Sequence, residues 1–385
     1  MDIYDYIIIG GGISGLYANY KLSHKYKTLL LEANNDLGGR AIEKKFHDSI
    51  IKTGAGIGAP HNKNLLKLLK ELKINYATGL SQIKTSFNNP LFNMNMAVEL
   101  VKQKYYELLK NKHQDIYKLN VKQFISKYFG KDFLIKYIKN SEYYDYLKSD
   151  MTYYIEYYDI DDSNHIPENI HYLSWTELIN KLKLDNCITN YTVNHIIKYN
   201  NMYLINNEYY CKNIVFALTL KPLQKLLNQI IKINLNNYLY SVPFCRIYTY
   251  HPNKLQNIDK YLIVDNKLQK MIYINEHVMM ISYNDSNNTL YWKKELEYDD
   301  KKEQLKKINN KIKELNLGIS QATDLDISFW LEGVHYFKPN KNIVKLIKKL
   351  SHPAKNIFIV GEMMSFKCGW VEGCIESVNR VFKNK

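Results

Sequence analysis

The sequence predicts an α/β protein, because its first 32 residues read as a strand, a glycine-rich turn, a helix and a second strand. Residues 3–9 (IYDYIII) form a short apolar run that ends at glycine, which is typical of a buried strand. The turn GGGISG occupies residues 10–15, and LYANYKLSH after it has the apolar spacing of a helix. Residues 28–31 (TLLL) then predict the second strand.

The glycine turn has the features of a dinucleotide-binding site. Gly10 permits a tight turn out of the strand, Gly12 lets a pyrophosphate approach the backbone, and Gly15 lets the helix pack closely on the sheet. Ile13 and Ser14 stand at the start of the helix, where free N–H groups and the positive end of the dipole favour phosphates. The sequence therefore predicts a Rossmann-type domain.

The segment after the second strand extends this site. Glu32 can accept hydrogen bonds from ribose hydroxyls and would repel a 2′-phosphate, so we expect NADP to be disfavoured. Ala33 follows it, and Gly38-Gly39-Arg40 then places flexible backbone and a guanidinium next to the pyrophosphate.

The glycine turn, the acidic residue and the GGR tripeptide together resemble the flavin-containing amine oxidases, which include monoamine, polyamine and L-amino-acid oxidases. Residues 53–56 (TGAG) resemble the glycine-rich element that passes close to the flavin ring in that family, which implies flavin contacts at Gly54 and Ala55. Val193 resembles the residue whose backbone meets the adenine.

The C-terminal segment resembles the closing motif of the same family. Residues 356–360 (NIFIV) predict a strand that runs into Gly361-Glu362, and a short loop leads to Trp370 and a helix. The resemblance implies that Glu362 holds the ribityl chain. It also implies that the backbone at Val371, after Trp370, meets the pyrimidine edge of the flavin, where the helix dipole stabilises negative charge.

The resemblance implies a Rossmann-type FAD-binding domain, as in GR2-like flavoproteins, interleaved with an α+β substrate domain. We expect the FAD-binding domain to comprise residues 1–75, 186–240 and 340–385. The substrate-binding domain would comprise residues 76–185 and 241–339. The resemblance is weak over residues 75–185 and 255–325, so these boundaries depend mainly on the two ends of the chain.

Three residues are candidates for catalysis. The resemblance places Tyr336 and Trp370 as the two aromatic rings that steer the amine nitrogen toward the flavin. Arg246 stands where many members of the family carry a lysine that assists reaction with oxygen; a structural ion-pair partner is an equal alternative. His335 occupies the place of the cysteine that bonds the flavin in some monoamine oxidases, but we expect a hydrogen-bonded histidine and non-covalent FAD.

The resemblance implies an FAD-dependent amine oxidoreductase. It would pass hydride from the C–N bond of a small-molecule amine to the flavin, water would hydrolyse the imine, and O₂ would be reduced to H₂O₂. The alternatives are a related desaturase or isomerase that acts on a C–C bond, and a non-catalytic FAD-binding protein with a basic interaction surface. A histone-demethylating oxidase is disfavoured, because no inserted helical hairpin is evident in the sequence.

Composition gives further limits. The chain has 385 residues and a net charge of +15, and its Lys, Asn, Ile and Tyr content matches AT-rich codons, so we ascribe part of the charge to this codon bias. A nucleic acid or an acidic partner is the less favoured explanation of the charge.

The five cysteines are scattered without a CxxC pair, which argues against a disulfide framework. We predict no metal site. Since no signal peptide or membrane span is evident, we expect a cytoplasmic protein.

Residues 142–162 (EYYDYLKSDMTYYIEYYDIDD) mix tyrosines with acids. They could form an acidic aromatic pocket for a cationic amine through charge and cation–π attraction. The favoured interpretation is a half-buried element with a solvated acidic face.

Overall fold

The computed structural model describes residues 3–80, 84–85, 92–158, 169–367 and 369–383. Its strands, in chain order, are β1 (Ile3–Ile9), β2 (Thr28–Leu31), β3 (Glu43–Phe46), β4 (Ser49–Lys52), β5 (Ala77–Leu80), β6 (Lys84–Thr85), β7 (Asn169–Tyr172), β8 (Cys187–Ile188), β9 (Ile196–Tyr199), β10 (Met202–Ile205), β11 (Tyr209–Phe216), β12 (Leu239–Tyr250), β13 (Tyr261–Ile263), β14 (Lys270–Tyr273), β15 (Val278–Asp285), β16 (Asp324–Phe337) and β17 (Ile357–Ile359). The longer helices are α1 (Ile13–Ser23), α2 (Lys63–Glu71), α3 (Met94–Lys110), α4 (Val121–Phe129), α5 (Lys131–Asn140), α6 (Trp175–Leu182), α7 (Leu220–Leu227), α8 (Ser286–Leu296), α9 (Lys301–Lys313), α10 (Ile343–Ser351) and α11 (Val371–Val381).

The first sheet has the order β8-β2-β1-β11-β10-β9, and β17 also pairs with β11. Strands β8, β2, β1, β11 and β17 pair with one another in parallel, whereas β10 pairs with β11, and β9 with β10, in an antiparallel extension. The predicted βαβ opening is confirmed, with both strands at the predicted residues.

Both faces of the first sheet are buried. Ile7 and Ile9 of β1 belong to a large core on one face, while Tyr6 and Ile8 point into a second core on the other face. The second core contains apolar residues of α1, α2, α6 and α11. A parallel sheet covered on both faces is the arrangement that near-continuous apolar strands require.

The second sheet has the order β16-β12-β15-β14-β13-β6 and is antiparallel except for the β13–β6 pair. Its long strand β12 alternates between two environments. Cys245 and Ile247 are buried against apolar residues of α8 and α9, whereas Phe244, Arg246 and Tyr248 face the opposite side. Because side chains alternate along a strand, this register aims Phe244, Arg246 and Tyr248 at the same cavity.

The first sheet takes its strands from three separate stretches of the chain, and the second takes five of its strands from residues 239–337. The predicted domain boundaries remain a prediction. Among the residues described, no helix has both the length and the apolar character needed to cross a membrane.

Candidate active site

A cavity of ≈1030 Å³ is lined by residues of both sheets. Its lining includes the residues that follow the carboxyl ends of β1, β2 and β11, namely Gly10, Glu32 and Ala217, and also Gly361, shortly after β17. Ligands of open parallel sheets bind at this edge, outside the carboxyl ends of the strands. The topology alone therefore identifies this cavity as the candidate site.

The glycine turn leaves open space at one position and close contact at another. Gly10 has a φ of +107°, which favours glycine. A Cβ at Gly15 would overlap the carbonyl oxygen of Gly10, so only glycine allows α1 to pack this closely on β1. A Cβ at Gly12 would meet no atom within 4 Å. The backbone at Gly12 is therefore accessible from the cavity.

The carboxylate of Glu32 is held by backbone and amide N–H groups of its own domain. Oε2 accepts the N–H of Gly11 at 2.5 Å, and Oε1 accepts the backbone and side-chain N–H groups of Asn34 at 2.8 and 2.9 Å. Glu32 is 8% exposed and lines the cavity. These bonds fix its position at the end of β2; its predicted contact with a ribose stays a prediction.

The GGR segment packs against the glycine turn. Gly38 donates its N–H to the carbonyl of Gly11 at 2.8 Å, and Gly38 and Gly39 have φ values of +112° and +58°. Arg40 donates from Nη1 to Glu362 at 3.0 Å and also to the carbonyl oxygen of Gly333. Arg40 thus connects the GGR segment to β16, and its side chain also lines the cavity.

Glu362 is the centre of a buried polar cluster. Its Oε1 lies 2.5 Å from Nδ1 of His335, and its Oε2 accepts the N–H of Gly369 at 3.2 Å. Burial would raise the pKa of Glu362, but the attraction of His335 and Arg40 outweighs it and lowers that pKa to about 2. The carboxylate is therefore ionised over the ordinary pH range.

Two helices begin at the cavity wall. Gly12 is the N-cap of α1 and Trp370 is the N-cap of α11, and neither end has a side-chain cap hydrogen bond. Gly12, Ile13, Trp370 and Val371 all line the cavity. Uncapped helix N-termini present N–H groups and a positive dipole end, which suits negative charge on a ligand.

The second sheet contributes an aromatic wall to the cavity. Tyr336 of β16 is 1% exposed and lies beside Tyr240, with a ring-centroid distance of 5.9 Å. Trp330, six residues earlier on β16, donates its indole N–H to the carbonyl of Thr53 at 2.8 Å. Both line the cavity, as do Phe244 and Tyr248 of β12. Sequence analysis missed Trp330, although even spacing from Tyr336 along the strand points to it.

Arg246 is fully buried in the same wall. Its Nη1 donates to the carbonyl of Lys52 at 3.0 Å, and its guanidinium carbon lies 4.5 Å from the centroid of the Tyr283 ring. Among the described residues no carboxylate forms an ion pair with Arg246, and both interpretations of this residue stay predictions.

The favoured interpretation of residues 142–162 as an element with a solvated acidic face is wrong for Glu142, Asp145 and Asp150, which are three of its four described acids; the fourth, Glu156, is partly exposed. These three carboxyl groups are buried, at 3%, 7% and 0% exposure. Glu142 and Asp145 line the cavity; Glu142 accepts from the hydroxyl of Tyr261 at 2.8 Å and lies 3.8 Å from Nζ of Lys270. The last acids of the segment, at 159–162, lie outside the described residues.

The cavity brings together the predicted site residues. Every one of them except Gly15, whose contact is with Gly10, contributes to its lining: Gly10, Gly12, Ile13, Ser14, Glu32, Ala33, Gly38, Gly39, Arg40, Gly54, Ala55, Val193, Arg246, Tyr336, Gly361, Glu362, Trp370 and Val371. Their individual roles stay predictions. Over the described ranges, no group of three or more His, Cys, Asp or Glu residues is placed to hold a metal ion.

Comparison with known proteins agrees with this geometry at the N-terminus. Residues 8–72 match the family model of the NAD(P)-binding Rossmann-like domain. Over 106 residues the chain is 35% identical to flavin-containing amine oxidase A of Equus caballus and of Canis lupus familiaris. The match covers 27% of this chain and 18% of each relative, so the sequence likeness is confined to a small part of those proteins.

Solved structures match the fold over almost the whole chain. Cyclohexylamine oxidase from Brevibacterium oxydans superimposes with a TM-score of 0.77, covering 98% of this chain and 97% of that one at 12% identity. A double mutant of putrescine oxidase, made to redesign cofactor binding, gives a TM-score of 0.69 at 10% identity, with 99% and 98% covered. Part of the sequence is thus similar to flavin-containing amine oxidase A, and the fold is similar to that of cyclohexylamine oxidase and putrescine oxidase over almost the whole chain.

Proposed function

We propose that this chain binds FAD without a covalent bond and uses it to oxidise the C–N bond of a small-molecule amine. The observation that carries the proposal is the cavity itself, which extends from the glycine turn after β1 to the aromatic wall of β16. One site thus combines dinucleotide-binding features with a largely apolar cavity, which suits the oxidation of an organic amine by a flavin.

The residues present fit FAD. The accessible backbone of Gly12 and the uncapped N-terminus of α1 suit the pyrophosphate, and Glu32 is fixed where it can reach a ribose. The uncapped N-terminus of α11 at Trp370 and Val371 suits the end of the flavin that gains negative charge on reduction. These assignments come from the family resemblance together with the positions of the residues on the cavity wall.

Contacts at two side chains support non-covalent binding. His335 does not line the cavity: its Nδ1 lies 2.5 Å from Oε1 of Glu362, and its Nε2 accepts the N–H of Leu220 at 3.2 Å, so both ring nitrogens have hydrogen-bond partners. Cys374 does line the cavity, but burial raises the pKa of its thiol to about 11. A protonated thiol is a poor nucleophile. Neither side chain is prepared to form a bond to the flavin.

FAD supplies a two-electron acceptor for the hydride that leaves the carbon bearing the nitrogen. The amine also gives up a proton, and water hydrolyses the resulting imine to a carbonyl compound; we propose O₂ as the final acceptor, giving H₂O₂. The chain's part is to bind and orient the amine and to exclude water. Tyr336 and Trp370 line the cavity and are the residues we propose to orient the amine nitrogen.

The proposal is tested with purified protein under anaerobic conditions. We expect flavin absorbance that stays in the supernatant after acid precipitation, and bleaching by one class among monoamines, polyamines and L-amino acids. Trp370→Ala should retain flavin and lose turnover, while Trp370→Phe should keep part of it. A flavin that no amine bleaches would refute amine oxidation and favour the desaturase, isomerase or binding-protein alternatives.

A further inference from the structure

We propose that a second cleft of this protein, apart from the candidate active site, binds a small soluble polyanion that carries several phosphate groups. The cleft has a volume of ≈1080 Å³ and lies between α4, the start of β12 and the residues that follow β16. None of its described lining residues also lines the active-site cavity. The inference therefore does not depend on the proposed amine oxidation.

Lysines dominate the wall of this cleft, which we call the lysine cleft. Four separate stretches of the chain contribute them: Lys118, Lys122, Lys127, Lys148 and Lys338. All five are exposed, so a ligand in solution can reach them. The other described lining residues are uncharged: Asn120, Gln123, Ser126, Tyr240, Ser241 and Pro339. Since like charges repel one another, a bound anion would stabilise the folded arrangement of these stretches.

Only part of this charge is neutralised within the chain. Asp115 lies 3.8 Å from Nζ of Lys118 and 4.0 Å from that of Lys127, and exposed pairs of this kind contribute little. Lys122 and Lys148 have no carboxylate partner among the described residues. The lysine cleft therefore keeps a positive charge even with Asp115 counted.

The acids nearby in the fold face away from the lysine cleft. Asp150 is 0% exposed, and one of its oxygens accepts the N–H of Asn340 at 2.7 Å. Asp145 is 7% exposed and lines the active-site cavity instead. Residues 338–355, which begin at the lysine cleft, contain six lysines and no Asp or Glu. This surface therefore attracts anions from solution toward the cleft.

The polar groups of the lysine cleft suit phosphate. Lysine binds phosphate as a compact point charge and needs no fixed planar partner. Ser126 and Ser241 add hydroxyl groups that make no hydrogen bond to other described residues, and hydroxyls donate well to phosphate oxygens. Asn120 and Gln123 cap the N-terminus of α4 with each other's side chains, so the lysines and not the helix end would hold the anion.

The aromatic content of the cleft argues against a nucleic acid. Single-stranded nucleic acids bind through bases that stack on aromatic side chains as well as through charge. Tyr240 is the one aromatic side chain in the described lining, and its ring packs at 5.9 Å from that of Tyr336. Its hydroxyl donates to the carbonyl of Asp145 at 3.4 Å. Tyr240 thus packs inward, and a compact polyphosphate needs charge but no stacking surface.

The test uses purified protein that is loaded with FAD and freed of unbound FAD, with inorganic tripolyphosphate as the probe. Binding is measured by isothermal titration calorimetry at constant ionic strength and compared with that of inorganic phosphate. We expect tripolyphosphate to bind about tenfold or more tightly than phosphate, because linked phosphates can contact several lysines at once. Equal affinities would overturn the inference.

A double variant locates the site. Lys122→Gln with Lys148→Gln removes the two exposed lysines that lack a carboxylate partner, and we expect it to weaken tripolyphosphate binding about tenfold or more. The matched control, Lys198→Gln with Lys302→Gln, removes the same charge from exposed lysines outside the cleft and should keep the affinity of the wild type. Equal losses in both would show that net charge alone attracts the anion, and the inference would be wrong. This comparison assigns binding to the cleft whether or not the protein oxidises amines.

Two further probes distinguish other anions. If a thymidine oligonucleotide binds more tightly than tripolyphosphate and requires Lys122 and Lys148, the cleft binds nucleic acid and the inference is wrong. If vesicles that carry a polyphosphoinositide bind through these lysines while soluble tripolyphosphate does not, the cleft binds a lipid surface and the soluble ligand is excluded. Tripolyphosphate binding that requires both lysines, with weaker binding of the other two probes, would confirm the inference.

Discussion

Nδ1 of His335 lies 2.5 Å from Oε1 of Glu362, and this buried pair joins β16 of the second sheet to the segment that follows β17 of the first. Arg40 completes the cluster from the GGR segment, 322 residues away from Glu362 in sequence. The three side chains tie together distant parts of the chain at the wall of the cavity. Their loss should therefore affect both the stability of the fold and the geometry of the site.

Replacing His335 should destabilise the protein without removing a flavin attachment point. In His335→Leu, Glu362 loses a buried hydrogen-bond partner, and Leu220 loses the acceptor of its N–H. We expect a loss of about 1–3 kcal/mol in the free energy of unfolding by urea. His113→Leu, at an exposed histidine, is the control and should change it little. Equal effects in the two variants would show that the His335 cluster adds no stability.

The stability of the protein at low pH should depend on the ionisation of Glu362. Its pKa is about 2 in the folded protein against an ordinary 4.5, so the folded state prefers the ionised form. This contribution is fully present above the unfolded pKa and is lost as pH falls from about 4.5 toward 2, by about 3 kcal/mol in all. In Glu362→Gln, the free energy of unfolding measured by urea titration should depend less on pH over this acidic range. An unchanged slope in that variant would contradict the assignment.

The ionisation of Asp150 should change the free energy of unfolding with pH in the opposite direction. Burial raises the pKa of Asp150 to about 6, although it accepts the N–H groups of Asn340 and Tyr153. The folded state therefore holds the proton more tightly than the unfolded chain. Its contribution to stability should fall as pH rises from about 4 to 6, by about 3 kcal/mol. A urea titration of wild type against Asp150→Asn over this range measures the difference, which should vary with pH.

Two glycines of the same turn should respond differently to one added methyl group. In Gly15→Ala the Cβ overlaps the carbonyl of Gly10, so α1 must move from β1 and the protein should lose stability. In Gly12→Ala the Cβ meets no protein atom within 4 Å, and φ at Gly12 is −71°, which alanine adopts readily. This variant should melt like the wild type as apoprotein but retain little flavin. Normal flavin content in Gly12→Ala would place the pyrophosphate elsewhere.

The sequence predicted this turn well because its determinants are local. The bounds of β1 and β2 and the packing role of Gly15 follow from residues within one βαβ unit. The partners of Arg246 and the burial of Glu142 could not be predicted in this way. They depend on which face of β12 meets the cavity and on contacts such as the one between Glu142 and Tyr261, 119 residues apart. These contacts can be identified only when the strand register of the second sheet is known.

The start of α2 depends on a residue of α11. Asn62, the N-cap of α2, makes no side-chain cap hydrogen bond. Glu372 accepts the backbone N–H of Asn64 at 3.1 Å and that of Leu65 at 2.8 Å instead, and it is 4% exposed. A carboxylate at a helix N-terminus satisfies free N–H groups and interacts favourably with the dipole. Glu372 thus acts as a cap supplied from a distant helix.

Glu372→Gln should therefore cost about 1–2 kcal/mol in the free energy of unfolding, since it removes the charge and one of the two accepting oxygens. The matched control is Glu107→Gln on α3, where the carboxylate is exposed and pairs with Lys104; surface pairs of this kind contribute about 0–1 kcal/mol. Because Glu372 follows Val371 in the first turn of α11, flavin retention should weaken in the first variant and not in the second. Equal urea midpoints for both variants would show that α2 does not depend on this cap.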